Sequence, residues 1–263
     1  MNKQELNSTA LLKDLVENYG VIGIKTSFED EGASFNEVIR LKELCNQAGT
    51  KLLLKIAGAE AKRDLTDSII IGVKGIVAPM IESAFALDKF VKSAQSILPP
   101  DVFSNVQLGI NIETIHAYKN FKDMLQSDGF EQLYHITLGR VDFVSSMNKD
   151  RGYVNSPEIL DIAFDLFSKA REKTKKVYLG GAVTVDSEDF LKQLFAKGLL
   201  DKFETRYVMY DPALALRNLP EALLNGQRLE LGILRNRQNI YLAESQKESD
   251  RINMIAKRVG EIG

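Results

Sequence analysis

Residues 51–58 read KLLLKIAG, and residues 107–117 read QLGINIETIHA. Each holds an apolar run of strand length, without the regular polar alternation of a half-solvated strand. Strands of this kind are covered on both faces, as in a parallel sheet flanked by helices. The same pattern recurs on either side. Strands are expected at 21–28, 51–56, 75–80, 107–112, 134–144, 176–180 and 204–210. Segments of helical period lie between them, at 35–48, 60–71, 83–97, 115–126, 157–174 and 186–196.

The punctuation agrees with this reading. Ser34 precedes the helix at Phe35 and Glu37 follows three residues on, the pattern of a capping box. Acidic Asp186, Glu188 and Asp189 crowd the first turn of the last of these helices. Gly49, Gly72 and Gly198 stand where helices end. A chain of 263 residues that alternates in this way suits a single (β/α)8 TIM-type barrel. Only seven strands are visible, and the first follows a helix at 3–18. The barrel is therefore expected to lack or alter its first strand. An open doubly wound sheet is the alternative, but SFEDEGAS at 27–34 is not a Gly-rich phosphate turn. Beyond Pro212 the chain reads as helical. The division expected is a barrel over 1–225 and a helical extension over 226–263 that packs on a second subunit, giving a homo-oligomer.

Composition narrows the partners. Thirty-four Lys and Arg oppose 36 Asp and Glu, a net charge of −2, so no field of one sign exists to draw in nucleic acid or a membrane surface. Lys173, Lys175 and Lys176 read as a solvated helix end. Cys45, the single cysteine, excludes an intrachain disulfide and reads as a small hydrophobe. No apolar run is long enough to span a bilayer, and the N-terminus has no apolar signal region. A cytoplasmic location is expected.

In a parallel barrel the working residues sit where strands end. Glu113 and Asp142 each follow an apolar run, on neighbouring strands. Two carboxylates converging there form a costly like-charge pair unless a cation lies between them. Hard oxygen donors favour Mg²⁺ or Mn²⁺, which can chelate a 2-keto acid and stabilise its enolate. A second reading gives Glu113 the cap of the helix near Ile115 and pairs Asp142 with Arg140. Lys55 has three readings: an ammonium reaching out of the barrel end, a clamp on a substrate carboxylate, or a Schiff-base amine. Glu29, Asp30 and Glu31 offer a base or a group that orients water. Gly180 and Gly181 permit close approach of an anion. His135 lies early in its strand and reads as structural, and His116 as solvent-facing.

In this order the motifs IGIKTSFEDEG, LLLKIAG, GIVAPMIESAFAL, GINIETIHA and LGRVDFVSSM resemble the HpcH/HpaI aldolase and citrate lyase beta-subunit family of the phosphoenolpyruvate/pyruvate barrel superfamily. The stretch from LGGAVTVDSEDFLKQLFAKG to FETRYVMYDPALAL is similar to the aldolase branch. The resemblance spans roughly residues 20–216. It implies a metal-dependent carbon–carbon lyase or aldolase acting on a 2-keto acid or an acyl thioester. Its metal ligands would be Glu113 and Asp142, and its catalytic acids Asp30 and Glu29. Lys55 stands where the family has a substrate-clamping Arg, keeping the charge without the bidentate fork. Gly139, Arg140, Gly180 and Gly181 complete the expected substrate contacts. The alternatives are a non-catalytic barrel used for binding or assembly, and a phosphoenolpyruvate-utilising enzyme whose Gly180 and Gly181 hold phosphate.

Overall fold

The computed structural model describes residues 1–261. Eight strands close into a barrel in chain order. They are β1 Val21–Ser27, β2 Lys51–Lys55, β3 Gly75–Ala78, β4 Gln107–Ile112, β5 His135–Gly139, β6 Lys176–Gly180, β7 Lys202–Glu204 and β8 Val208–Tyr210. β1 to β7 are parallel to one another. β8 is antiparallel to both of its neighbours, β7 and β1.

That last strand corrects the expectation of a single strand at 204–210. The segment is a tight hairpin, in which the Thr205 N–H donates to the Val208 carbonyl at 2.9 Å and the Lys25 N–H to the Tyr207 carbonyl at 2.7 Å. The position left open by the missing first strand is thus filled from the other end of the chain. Closure leaves no free sheet edge, which excludes the open doubly wound sheet. Because this strand runs antiparallel, Tyr210 and Asp211 at its end lie at the floor of the barrel rather than at its mouth. There Asp211 donates its backbone N–H to the Gly20 carbonyl at 2.8 Å. A second correction concerns the fifth strand, which ends at Gly139. Arg140–Ser146 is a helix, so Asp142 sits in a helical first turn.

Side-chain alternation divides the strands between two environments. Leu52, Leu54, Ile76, Ile110, Ile136 and Leu179 face outward into the main core beneath the helices. Leu53, Val77 and Met209 face inward with Ile22. Cys45 packs in the outer core, where burial pushes its thiol up to about 12. Lys55 shares the inward face of Leu53, two residues before it. Polar groups also occupy the barrel interior. Glu204 accepts from both Lys25 and Lys202, and His135 stacks on Tyr178 with ring centres 4.3 Å apart. The His135 ring fits because Gly109 faces it, where a Cβ would lie 2.1 Å from the imidazole.

The capping box at Ser34 and Glu37 forms as expected. The helix expected at 115–126 is instead two short turns, Ile115–Lys119 and Phe121–Met124. The C-terminal helix, Leu219–Val259, runs 41 residues, about 60 Å at 1.5 Å per residue. It is continuous across residue 225, so the expected division falls inside one element. What changes is its packing. Leu219, Ala222, Leu223 and Leu229 are buried on the barrel, and the N-terminal helix Lys3–Asn18 lies alongside it, with Gln4 donating to the Gly232 carbonyl at 3.2 Å. Leu242, Ile252, Ile255 and Val259 are exposed. Residues 262 and 263 of the expected extension lie outside the described residues. Among the described residues, no helix is long and apolar enough to cross a membrane.

Candidate active site at the mouth of the barrel

The loop after β1 begins with a local device. Ser27 Oγ accepts the N–H groups of Glu29 at 3.0 Å and Asp30 at 2.9 Å, which turns both acidic side chains over the barrel end. There they meet Lys55 from β2. Its Nζ lies 2.7 Å from Glu29 Oε2, 2.8 Å from Asp30 Oδ2 and 3.8 Å from Glu113 Oε1. The Lys55 side chain is only 4% exposed, so it does not reach out into solvent. Burial alone would lower its pKa. Glu113, Asp30 and Glu29 reverse that and hold it above its ordinary value. A Schiff base needs a neutral amine, and the surrounding carboxylates disfavour that form of Lys55.

Glu113 follows β4 and is buried. Its Oε1 accepts from Asn111 Nδ2 at 2.8 Å, and its Oε2 accepts the Met80 backbone N–H at 3.2 Å. Met80 holds that N–H in place with a φ of 50°, a left-handed conformation costing an L-residue of order 1–2 kcal/mol. Strain held beside a buried carboxylate is typical of functional sites. Gly139 completes the niche, since a Cβ there would lie 2.6 Å from Glu113 Cγ and 2.8 Å from Oε1. Burial drives the Glu113 carboxyl above its ordinary value. Lys55, Asn111 and the Met80 N–H oppose the rise, and the negative charge of Asp142 adds to it. Asp142 is exposed and, among the described residues, has no hydrogen bond or ion pair.

The bland readings of these two acids therefore fail. Thr114, not Glu113, caps the helix at Ile115, accepting from the Ala117 N–H. Arg140 does not pair with Asp142. Its guanidinium is fully buried and donates to the carbonyls of Gly180 at 3.3 Å, Gly181 at 2.9 Å and Val154 at 3.3 Å, and to Asn155 Oδ1 at 2.6 Å. It also lies 4.8 Å from the Phe190 ring centre. This corrects the expectation that Arg140 contacts substrate: its donors tie the β5 end to the β6 end. Gly180 and Gly181 supply carbonyls to that tie. The helical turn after them begins only at Val185, capped by Thr184, which weighs against their service as an anion cradle.

The structure thus brings Glu29, Asp30, Lys55, Glu113 and Gly139 together. Asp142 is near enough for its charge to act on Glu113, and Arg140 is withdrawn. Glu31 leaves the group to pair with Arg206 and to accept from the Tyr207 hydroxyl at 3.1 Å. His116 is exposed and His135 lies at the floor end of β5, where burial pushes it well below its ordinary value and keeps it neutral. Asn111 and Met80 escaped the reading of the sequence. Asn111 had a signal, being two residues before Glu113 and hence on the same face. Met80 had none.

No protein-family model matches the sequence, and no curated protein matches it. Solved structures do match. An HpcH/HpaI aldolase from Desulfitobacterium hafniense DCB-2 is similar at TM-score 0.60 and 13% identity, over 76% of this chain and 81% of that one. In fold the barrel is similar to that of the HpcH/HpaI aldolases. The citrate synthase SbnG shares it at TM-score 0.62 and 15% identity, over 92% of this chain and 90% of its own. An HpcH/HpaI aldolase/citrate lyase family protein from Burkholderia cenocepacia J2315 does so at TM-score 0.60 and 12% identity, over 87% and 90%. At these identities the likeness is one of fold, and the chemistry has to be argued from the side chains.

Proposed function

We propose that this HpcH/HpaI-type barrel is a metal-dependent carbon–carbon lyase or aldolase whose substrate is a 2-keto acid or an acyl thioester. One observation carries the reading: Glu113 is a buried carboxylate fixed at the barrel mouth by Asn111 and the Met80 N–H, beside Glu29 and Asp30, and burial and the like charge of an exposed Asp142 both push its carboxyl up. Four carboxylates at the mouth, Glu29, Asp30, Glu113 and Asp142, stand against one ammonium. A hard dication fits that surplus. Among the described residues, no group of three His, Cys, Asp or Glu side chains is placed to hold an ion. The shell we propose takes only Glu113 and Asp142 from the protein, a modest share that suits Mg²⁺ or Mn²⁺ completed by water and substrate. A metal there would supply Lewis acidity to stabilise an enolate.

The chain's own residues do the rest. Asn111, the Met80 N–H and Gly139 hold Glu113 at the β4–β5 edge. Lys55 fixes Glu29 and Asp30 over the mouth and, being already surrounded by carboxylates, orients acids rather than clamping a substrate carboxylate. Asp30 is drawn below its ordinary value because Lys55, Arg206 and Lys25 outweigh its burial. It is ionised at neutral pH and suited to orienting a water that carries the proton. The test is calorimetric titration with Mg²⁺ and Mn²⁺, alongside hydrogen–deuterium exchange at the methyl group of pyruvate. Binding that disappears in Glu113→Gln and Asp142→Asn, with metal-dependent exchange in the parent, supports the reading; no binding in the parent overturns it.

One observation favours a non-catalytic barrel instead: Lys55 already engages three of the four acids from within. Metal titration separates the two. The exposed apolar residues of the C-terminal helix, Leu231, Tyr241, Ile252, Ile255 and Val259, recur at helical spacing. We assign them to contact with a second copy of the chain. Light scattering that finds a monomer at all concentrations would refute this assignment.

A further inference from the structure

The opposite end of the barrel holds a cavity of about 190 Å³. Its polar lining includes Lys51 at the start of β2, Gln107 at the start of β4, Tyr178 in β6 and Lys202 at the start of β7. Just inside it, the single carboxylate of Glu204 serves two ammonium groups, Lys25 and Lys202, the latter at 2.7 Å. Both Lys202 and Glu204 are buried. One positive charge is therefore in surplus at this end of the barrel, and Lys202 is the more deeply buried of the two lysines. Burial holds Lys202 below its ordinary pKa against the pull of Glu204. Asp201 at the rim cannot balance the surplus. Its carboxylate is already shared by Lys176 at 3.0 Å and Arg171 at 2.6 Å.

The same cavity gathers donors that lack acceptors. Among the described residues, the hydroxyls of Tyr134 and Tyr178, the Gln107 amide and the Lys51 ammonium have no protein partner. Besides Glu204, Lys202 Nζ has only the Met209 sulfur at 3.2 Å, a weak acceptor. The Tyr178 phenol is pushed up by burial and by the nearby Tyr134, Asp201 and Glu204, and so remains a donor. Of these, Tyr178 is buried and Gln107 half-buried, while Lys51 and Tyr134 are exposed at the rim, so the donors open onto the cavity. At about 30 Å³ per water, the volume is worth about six waters. It lies below the ~300 Å³ at which pockets for larger organic ligands begin, a size that suits one small, partly hydrated anion.

We infer that the floor of the barrel is a binding site for a small multivalent oxyanion of the phosphate or sulfate class, held by Lys51, Lys202, Tyr178 and Gln107. Occupancy supplies negative charge beside Lys202 at the floor, so the bound anion stabilises the fold. The site is separate from the mouth and does not depend on the reaction proposed there.

The experiment is thermal unfolding and calorimetry of the full chain in inorganic phosphate, then sulfate, against chloride at matched ionic strength. The expected result is a saturable rise in Tm with phosphate and sulfate that chloride does not reproduce. Lys51→Ala should weaken phosphate affinity about tenfold, equivalent to ~1.4 kcal/mol. Tyr178→Phe should weaken it less, and Lys202→Met, which leaves Lys25 and Glu204 as a balanced pair, should abolish it. Arg206→Gln, at the other end of the barrel, should leave phosphate affinity unchanged. Should Lys202→Met not fold, Lys51→Ala and Tyr178→Phe carry the test. The inference is overturned by an absence of saturable phosphate binding, by full affinity in Lys51→Ala and Tyr178→Phe, or by loss of binding in Arg206→Gln, which would move the anion to the mouth.

Discussion

Replacing Lys55 by Met removes a buried ammonium and leaves its three carboxylates without it. Two of the three have recourse to water: the Glu29 and Asp30 side chains are 30% and 49% exposed. Exposed ion pairs contribute only about 0.2–1 kcal/mol each. Glu113 is different. Its side chain is 5% exposed, and stripping the partner from a buried charge costs about 3–5 kcal/mol. The loss should depend on pH in a definite sense. The Glu113 carboxyl already stands above its ordinary 4.5 because of burial, and Lys55 is the largest influence holding it down. Without Lys55 it rises further, and each unit is worth about 1.4 kcal/mol. A carboxyl raised in the folded state binds a proton that the unfolded chain releases. The variant therefore loses stability as pH climbs from about 4.5 through the new folded value, and the loss levels off above it. Urea denaturation across pH 4 to 8 should show the gap from the parent small at the acid end and full near neutrality. Glu113→Gln on top of Lys55→Met should recover most of the neutral-pH loss. An equal gap at both ends of the pH range, or no recovery in the double variant, would mean that Lys55 contributes packing rather than charge.

The other expectations concern the same mouth. Gly139→Ala pushes a methyl into Glu113 and should cost about 1–3 kcal/mol of stability by overpacking, while weakening Mg²⁺ or Mn²⁺ binding in calorimetry. Asp142→Asn takes away a like charge, so the Glu113 carboxyl should titrate lower by NMR, with stability unchanged or slightly improved and metal affinity lost. Arg140→Met leaves five protein acceptors, Ser187 Oγ among them, without their donor and should destabilise by about 3 kcal/mol or more, measured by chemical denaturation. Arg140→Lys should recover little, because an ammonium cannot span the Gly180, Gly181 and Val154 carbonyls.

Much of the barrel is legible in local sequence because a strand buried on both faces has to be apolar wherever it sits. β4 and β6 coincide with their expected limits for that reason. Glu113 is legible too, as a charge at the end of such a run. Asp142 is legible as a residue but not as geometry. Arg140–Val144 is apolar enough to read as strand, and it turns helical because Arg140 is pulled sideways to the carbonyls of Gly180 and Gly181, forty residues on. The fate of Glu31 likewise depended on Arg206 and Tyr207, which are remote in sequence.

The order of strands and helices, the capping box at Ser34 and the acidic inventory of the mouth follow from the amino acids alone, since propensity, period and capping act over a few residues. The closing strand β8, the three acids around Lys55 and the surplus ammonium beside Glu204 were decided only when distant segments met. No local pattern marks them, because their energies arise from burial and from Coulomb contacts that exist only in the closed barrel.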